Sequence, residues 1–280
     1  MSKKKERGPK YLASPLNNPM LNYGEYYFSV KEKLSFSAAC IGGGGLVGLI
    51  FYGGLFKKNG EATNATLISN LIVFAVFGLI ALRFAMPSIR VSLLNRRGKK
   101  LRKQFVDLLE ALTTLLASGS TVNDAFRSAV VDLQNHYQQT DMIIIEISEI
   151  NNGVMNGFTL EEMLIDFGKR SDNRDILSLA NVISNCNRLG GDFKSVIRRT
   201  RDVISDKIEI EEEIATKLSS NKLQLNAMTL MPIVLVGLLK LSSSSFAENL
   251  SSLIGVVVTT IALVLFVVAY FWGQKIVRIS

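Results

Sequence analysis

A chain of 280 residues, 48% of them hydrophobic, carries more apolar side chain than one soluble core of its size can bury. That surplus, with a positive mean hydropathy, excludes a wholly water-soluble domain. The formal net charge of +8 raises nucleic acid as a partner. The basic residues sit beside apolar runs without interleaved aromatic side chains, however, so they fit the lipid bilayer and not nucleic acid.

Residues 1–33 read as a basic cytoplasmic tail carrying Lys3, Lys4, Lys5, Arg7 and Lys10. The first apolar run begins only at Leu34, so no cleavable signal peptide is expected ahead of it. A bilayer core about 30 Å thick needs about 20 residues without ionised side chains. Residues 34–56 and 62–82 meet that condition and predict two transmembrane helices. Within the first, Gly42 to Gly45 and Gly48 lack the lysine a phosphate loop needs, so Gly44 and Gly48 are expected to pack helix against helix. Residues 83–100 form a basic juxtamembrane linker, with Arg83, Arg90, Arg96, Arg97, Lys99 and Lys100. Asn64-Ala65-Thr66 fits a glycosylation sequon, which matters only in a eukaryotic secretory pathway.

Residues 101–222 contain no proline and predict a cytoplasmic helical domain. Phe105, Leu108, Leu109, Leu112, Leu115 and Leu116 recur at helical spacing. Further helices are expected over Val122–Leu133, Met142–Ile150, Leu160–Phe167 and Ile176–Leu189. A last helix starts at Phe193, with Val196, Ile197, Val203, Ile204, Ile208, Ile214 and Leu218 as its buried stripe. No breaker separates that helix from the third predicted span, residues 223–239. The fourth span covers residues 249–274. Lys222 and Lys240 bound the short third span and are expected to reach toward the interfaces. Because basic flanks are retained inside, the N-terminus, the central domain and the C-terminus should all lie in the cytoplasm, with Lys57 to Glu61 and Lys240 to Glu248 outside. The expected architecture is an all-α polytopic membrane protein, with two transmembrane hairpins flanking a six-helix bundle.

Three helix starts repeat one grammar: Gly119-Ser-Thr121, Gly157-Phe-Thr159 and Gly190-Gly191-Asp192. Glycine ends the preceding helix in a left-handed conformation, and the Thr or Asp caps the next one. Asp124 and Glu162, three residues past the threonines, can close a capping box, glutamate being the better fit.

No pattern for catalysis, a metal or a cofactor emerges. His136, the single histidine, lies in a polar stretch between helices. Cys40 and Cys186 fall in different regions and support neither a disulfide nor a metal site. Glu209, Glu211, Glu212 and Glu213 occupy near-successive helical positions, which diverge and cannot converge on one substrate. They form an acidic collar, to which Lys169, Arg170, Arg174, Arg199 and Arg201 offer opposite charge. These two sets are the candidate partner-binding residues. A transporter or channel would need polar groups lining a path through the spans, where Ser69 and Asn70 are too few. A signalling receptor would need a sizeable external sensor, which the short outer loops do not provide.

The segments GSTVNDAF, GFTLEEML and RLGGDFKSVIRRTRDVI, flanked by paired spans, resemble the type II secretion system F family over roughly residues 100–275. Members of that family are inner-membrane platform proteins of secretion systems and type IV pili. Many carry two copies of the helical domain; the single copy here is similar to the Tad/Flp pilus branch. The resemblance implies a prokaryotic inner-membrane scaffold that couples a cytoplasmic secretion ATPase to pilin subunits and works with a second platform subunit.

Overall fold

The computed structural model describes residues 8–55, 63–189 and 192–279. They divide into two compact units, one built from the N-terminal segment up to Tyr27 with Arg90–Glu211, the other from Phe28–Ile89 with Glu212 onward.

The first unit opens with two short antiparallel strands, β1 (Tyr11–Ala13) and β2 (Pro19–Leu21), with Tyr11 opposite Leu21 and Leu12 opposite Met20. Pro15 starts the turn between them, the Asn17 amide donates to the Ser14 carbonyl at 2.8 Å, and Asn17 takes a left-handed φ of 62°. Proline pre-sets the turn and asparagine tolerates its strained position. The fold is helical as expected, with this small hairpin added to it, and the described part of the expected basic tail packs on the helices through Tyr23. Met20 and Tyr23 are 7% and 5% exposed, and Tyr23 belongs to the same core as the helices.

The helices follow as α1 (Val30–Tyr52), α2 (Asn64–Ala117), α3 (Val122–Leu133), α4 (Met142–Met155), α5 (Leu160–Ser171), α6 (Arg174–Leu189), α7 (Phe193–Ser242), α8 (Ser244–Ser251) and α9 (Leu253–Ile279). Helix α2 runs unbroken through the residues expected to form a linker. Arginine and lysine are good helix formers, and Pro87 is accommodated inside the helix.

Five further helical stretches, α3 to α6 and the start of α7, complete the helical part of the first unit. Its core takes in Phe105, Leu108, Leu109 and Leu112 of the stripe read from the sequence, together with Leu101 one turn earlier, all at 1% exposure or less, while Leu115 and Leu116 of that stripe are half-buried. Phe105 meets Phe167 edge to face with centroids 6.2 Å apart. Burying each such side chain contributes about 1.5–3 kcal/mol. At Gly168 an added Cβ would lie 2.8 Å from the Leu177 Cα, so glycine lets α5 and α6 approach closely. On α7, Ile197 and Ile204 are buried, whereas Val203 and Ile214 are each 48% exposed. Neighbouring positions such as 203 and 204 differ by about 100° around a helix, so the expected single stripe is in fact two lines of which one turns outward.

The second unit holds α1, α8, α9 and the remaining parts of α2 and α7. Among the described residues, four helices, α1, α2, α7 and α9, are long and apolar enough to cross a membrane. Helix α1 starts one turn before the predicted span, where the Ser29 amide donates to Glu32 Oε2 at 2.9 Å. Gly44 and Gly48 stand against α2: an added Cβ would lie 2.9 Å from the Phe77 carbonyl oxygen at Gly44 and 2.8 Å from Phe77 Cβ at Gly48. Lys240 does more than reach for an interface. Its Nζ donates to the carbonyls of Ile50 and Gly53 at 3.1 and 2.5 Å, placing a cation at the negative end of α1. The residues expected to form the second outer loop coil into α8, capped by Ser243 Oγ accepting from the Phe246 amide at 3.3 Å. Positions 57–61, expected to form the first outer loop, lie outside the described residues.

Candidate functional site

Helix α4 presents two carboxylates to the interior of the first unit. Glu146 is fully buried and Glu149 is 6% exposed. Arg170 donates to both Glu146 oxygens, Nη1 to Oε1 at 2.9 Å and Nη2 to Oε2 at 2.8 Å, and its Nε donates to Asp166 Oδ2 at 2.6 Å. The Tyr23 hydroxyl donates to Glu146 Oε1 at 2.9 Å. Glu149 accepts from Ser14 Oγ at 2.6 Å and from Asn18 Nδ2 at 3.1 Å. Arg97 fixes the far end of the N-terminal segment, donating to the Tyr23 and Glu25 carbonyls at 2.9 and 2.5 Å, with its guanidinium over the rings of Tyr23 and Tyr26.

Burial and the Glu146 carboxylate push the Tyr23 phenol well above its ordinary range, so it serves as a donor. Burial opposes the Arg170 charge, but its bonds to Glu146 and Asp166 outweigh that and raise its pKa. Burial likewise pushes the Glu146 carboxyl up, while Arg170 and Tyr23 pull it back. This is a structural lock, and it removes Arg170 from the partner-binding set: at 3% exposure its charge is spent inside the protein. The signal was present in the sequence. Arg170 follows Met163 and Phe167 at helical spacing, and Glu146 lies one turn from Ile143 and Ile150 on an apolar face, positions where a charge must be paired.

The remaining predicted partner residues lie at the surface. Lys169, Arg174 and Arg199 are exposed, and half-buried Arg201 is held by its neighbour Asp202 at 2.6 Å. Glu209 and Glu212 are exposed. Glu211 is joined to Arg102, and Glu213 pairs with Lys217 at 2.7 Å. Arg174 and Glu211 line a polar cleft of about 540 Å³ with Lys99, Arg102 and Lys207, basic residues that periodicity alone did not single out. Arg199 instead rims a separate groove between α6 and α7. The predicted basic set is thus divided between two surfaces.

At the helix starts, Gly119 and Gly157 have φ of 93° and 91°, and a Cβ at either would meet nothing within 4 Å, so backbone conformation and not space calls for glycine. Thr121 and Thr159 accept from the amides of Asp124 and Glu162, each at 3.3 Å. Glu162 reciprocates to the Thr159 amide at 3.0 Å, whereas the shorter Asp124 instead accepts from the Thr121 hydroxyl at 2.6 Å. Asp192 Oδ1 accepts from the Lys194 amide at 3.0 Å, while Gly190 and Gly191 lie outside the described residues. Among the described residues, no three or more His, Cys, Asp or Glu side chains are grouped to hold a metal.

No curated protein and no solved structure matches the chain. Residues 108–239, from within α2 through most of α7, match the family model of the type II secretion system (T2SS) protein F, and it is to this family that the chain is similar.

Proposed function

We propose that the chain is an inner-membrane platform of a Tad/Flp-type pilus or a type II-like secretion system, a scaffold that couples a cytoplasmic ATPase to pilin assembly. The match over residues 108–239 carries this reading, because the matched residues take in the helical bundle together with the apolar part of α7. Four helices of membrane-spanning length and composition support an inner-membrane, multi-pass placement with both termini and the bundle on the cytoplasmic side.

In this role the chain contributes surfaces and not bond chemistry. The exposed cations Lys169, Arg174 and Arg199 offer charge to an acidic face of the ATPase, and the acidic collar from Glu209 to Glu213 offers the opposite charge to a basic one. Exposed charges of this kind set encounter rate and partner choice more than fold stability. Reversing Lys169, Arg174 and Arg199 together should leave the helical spectrum and membrane insertion unchanged while reducing co-purification of the ATPase and pilus assembly. A triple variant that inserts normally and assembles pili at the wild-type level would show that the ATPase binds elsewhere.

A further inference from the structure

Within the second unit, the apolar parts of α1, α2, α7 and α9 border a cavity of about 510 Å³. Gly43 and Val47 of α1, Phe77 of α2, Val236 of α7 and Leu263 of α9 are among its lining residues, and none of the lining side chains carries a polar atom. A site with no hydrogen-bonding group holds no ordered water and suits an apolar occupant. Two polar ties between these helices lie at one end of it. Lys240 of α7 donates to the Gly53 carbonyl at 2.5 Å, and the hydroxyls of Tyr52 and Thr260 share a hydrogen bond of 2.9 Å.

We propose that this cavity binds one acyl chain of a membrane lipid. Its dimensions choose that occupant. Along α1 the lining runs from Gly43 to Phe51, about 12 Å at a helical rise of about 1.5 Å per residue. Gly43 stands near the middle of the uncharged run 34–56 and Phe51 in the last turn of α1, so the cavity has roughly the depth of one leaflet, half of a core about 30 Å thick. Spread over those roughly 12 Å, the volume corresponds to a channel about 7 Å wide, narrower than the about 10–12 Å of a helix with its side chains. A membrane-spanning helix of another protein would moreover cross both leaflets. A single hydrocarbon chain meets both limits. Because the lining offers no charge and no hydrogen bond, the lipid headgroup stays outside, beyond Phe51. Lipid tails are as apolar as the lining, so the chain is held by van der Waals contact with four helices at once and not by the hydrophobic effect.

The inference goes beyond the platform reading and rests on it only in placing these helices in a bilayer. Two adjacent glycines make it testable. A Cβ added at Gly42 or at Gly43 would meet nothing within 4 Å, yet of the two only Gly43 lines the cavity. A large side chain at position 43 therefore takes the place of the acyl chain, and one at position 42 does not. The full chain is placed in nanodiscs of phosphatidylethanolamine and phosphatidylglycerol with a trace of phosphatidylethanolamine carrying a diazirine on one acyl chain. It is then irradiated, and the adducts are mapped by mass spectrometry. Adducts are expected on Val236 and Leu263 in the cavity, and also on Leu235 and Leu265, which are 53% and 65% exposed. Gly43→Phe should remove the first pair of adducts and keep the second, whereas Gly42→Phe should keep both, each with an unchanged helical spectrum. Wild-type adducts confined to Leu235 and Leu265, or cavity adducts undiminished in Gly43→Phe, would overturn the proposal. So would a photoreactive side chain at position 236 that captures a protein and not lipid in cells. A chain that alkali strips from membranes counts against the membrane placement, and one that stays in the bilayer without cavity adducts counts against this inference alone.

Discussion

Glu146 and Arg170 meet where water is excluded, and that sets what their loss should do. Removing one partner of a buried pair leaves the other charge uncompensated, a penalty of about 3–5 kcal/mol. Arg170→Ala should therefore destabilise the helical domain by that amount in urea unfolding of the solubilised chain, whereas Lys169→Ala, one residue away and exposed, should change it little. Equal effects of the two would remove the lock. Thr159 works through the backbone: replacing it by alanine gives up a cap worth about 1 kcal/mol. Its box partner Glu162 is held below the ordinary carboxyl range by the Thr159 amide, and Asp141 by its bond from Lys100 at 2.7 Å. A depressed acid contributes stability above its unfolded pKa and loses it as pH falls through the lower folded value. The domain should accordingly weaken as pH drops below 4.5 and then 3.8, the ordinary values of the two groups. Glu162→Gln should flatten the upper part of that decline, and an unaltered profile would show that the box contributes nothing to it.

At the scale of elements, the N-terminal strands are held by polar contacts as much as by apolar ones. Ser14 and Asn18 give Glu149 its hydrogen bonds, Tyr23 gives one to Glu146, and the Tyr23 amide donates to the Arg170 carbonyl at 2.9 Å. Ser14→Ala with Asn18→Ala leaves the buried Glu149 carboxylate short of donors, and leaving a charged group unsatisfied costs more than the about 1–3 kcal/mol of a neutral one. The expected outcome is faster amide exchange over residues 8–27, with the bundle helices less affected. Uniform acceleration throughout the first unit would instead make the segment inseparable from the bundle's cooperative core. This element was hidden from periodicity because three-residue strands are too short to show alternation. The absorbed linker has a related reason: arginine and lysine are good helix formers, so a cluster of basic residues gives no sign of where an element ends.

For the whole molecule, the decisive question is which side of the membrane each segment occupies. Basic blocks before and after the first two predicted spans oppose translocation. Cysteine at Ser244, on exposed α8, should react with an impermeant reagent in intact cells, and cysteine at exposed Asn135 only after lysis. Labelling at 135 in intact cells would invert the topology. The long apolar helices, the helical class and the caps at Thr121 and Thr159 were legible in the sequence by itself, because chain-local physics governs them: the length of an uncharged run, a 3.6-residue repeat, and a hydroxyl reaching an amide three residues on. Tertiary structure alone decided that Arg170 is spent inside on Glu146, that Val203 turns outward while Ile204 turns in, and that Ser14, Asn18 and Tyr23 reach more than a hundred residues along the chain to satisfy α4. Those outcomes depend on which neighbour occupies the space beside each side chain, and a pattern along one segment carries no record of the neighbours that other segments bring.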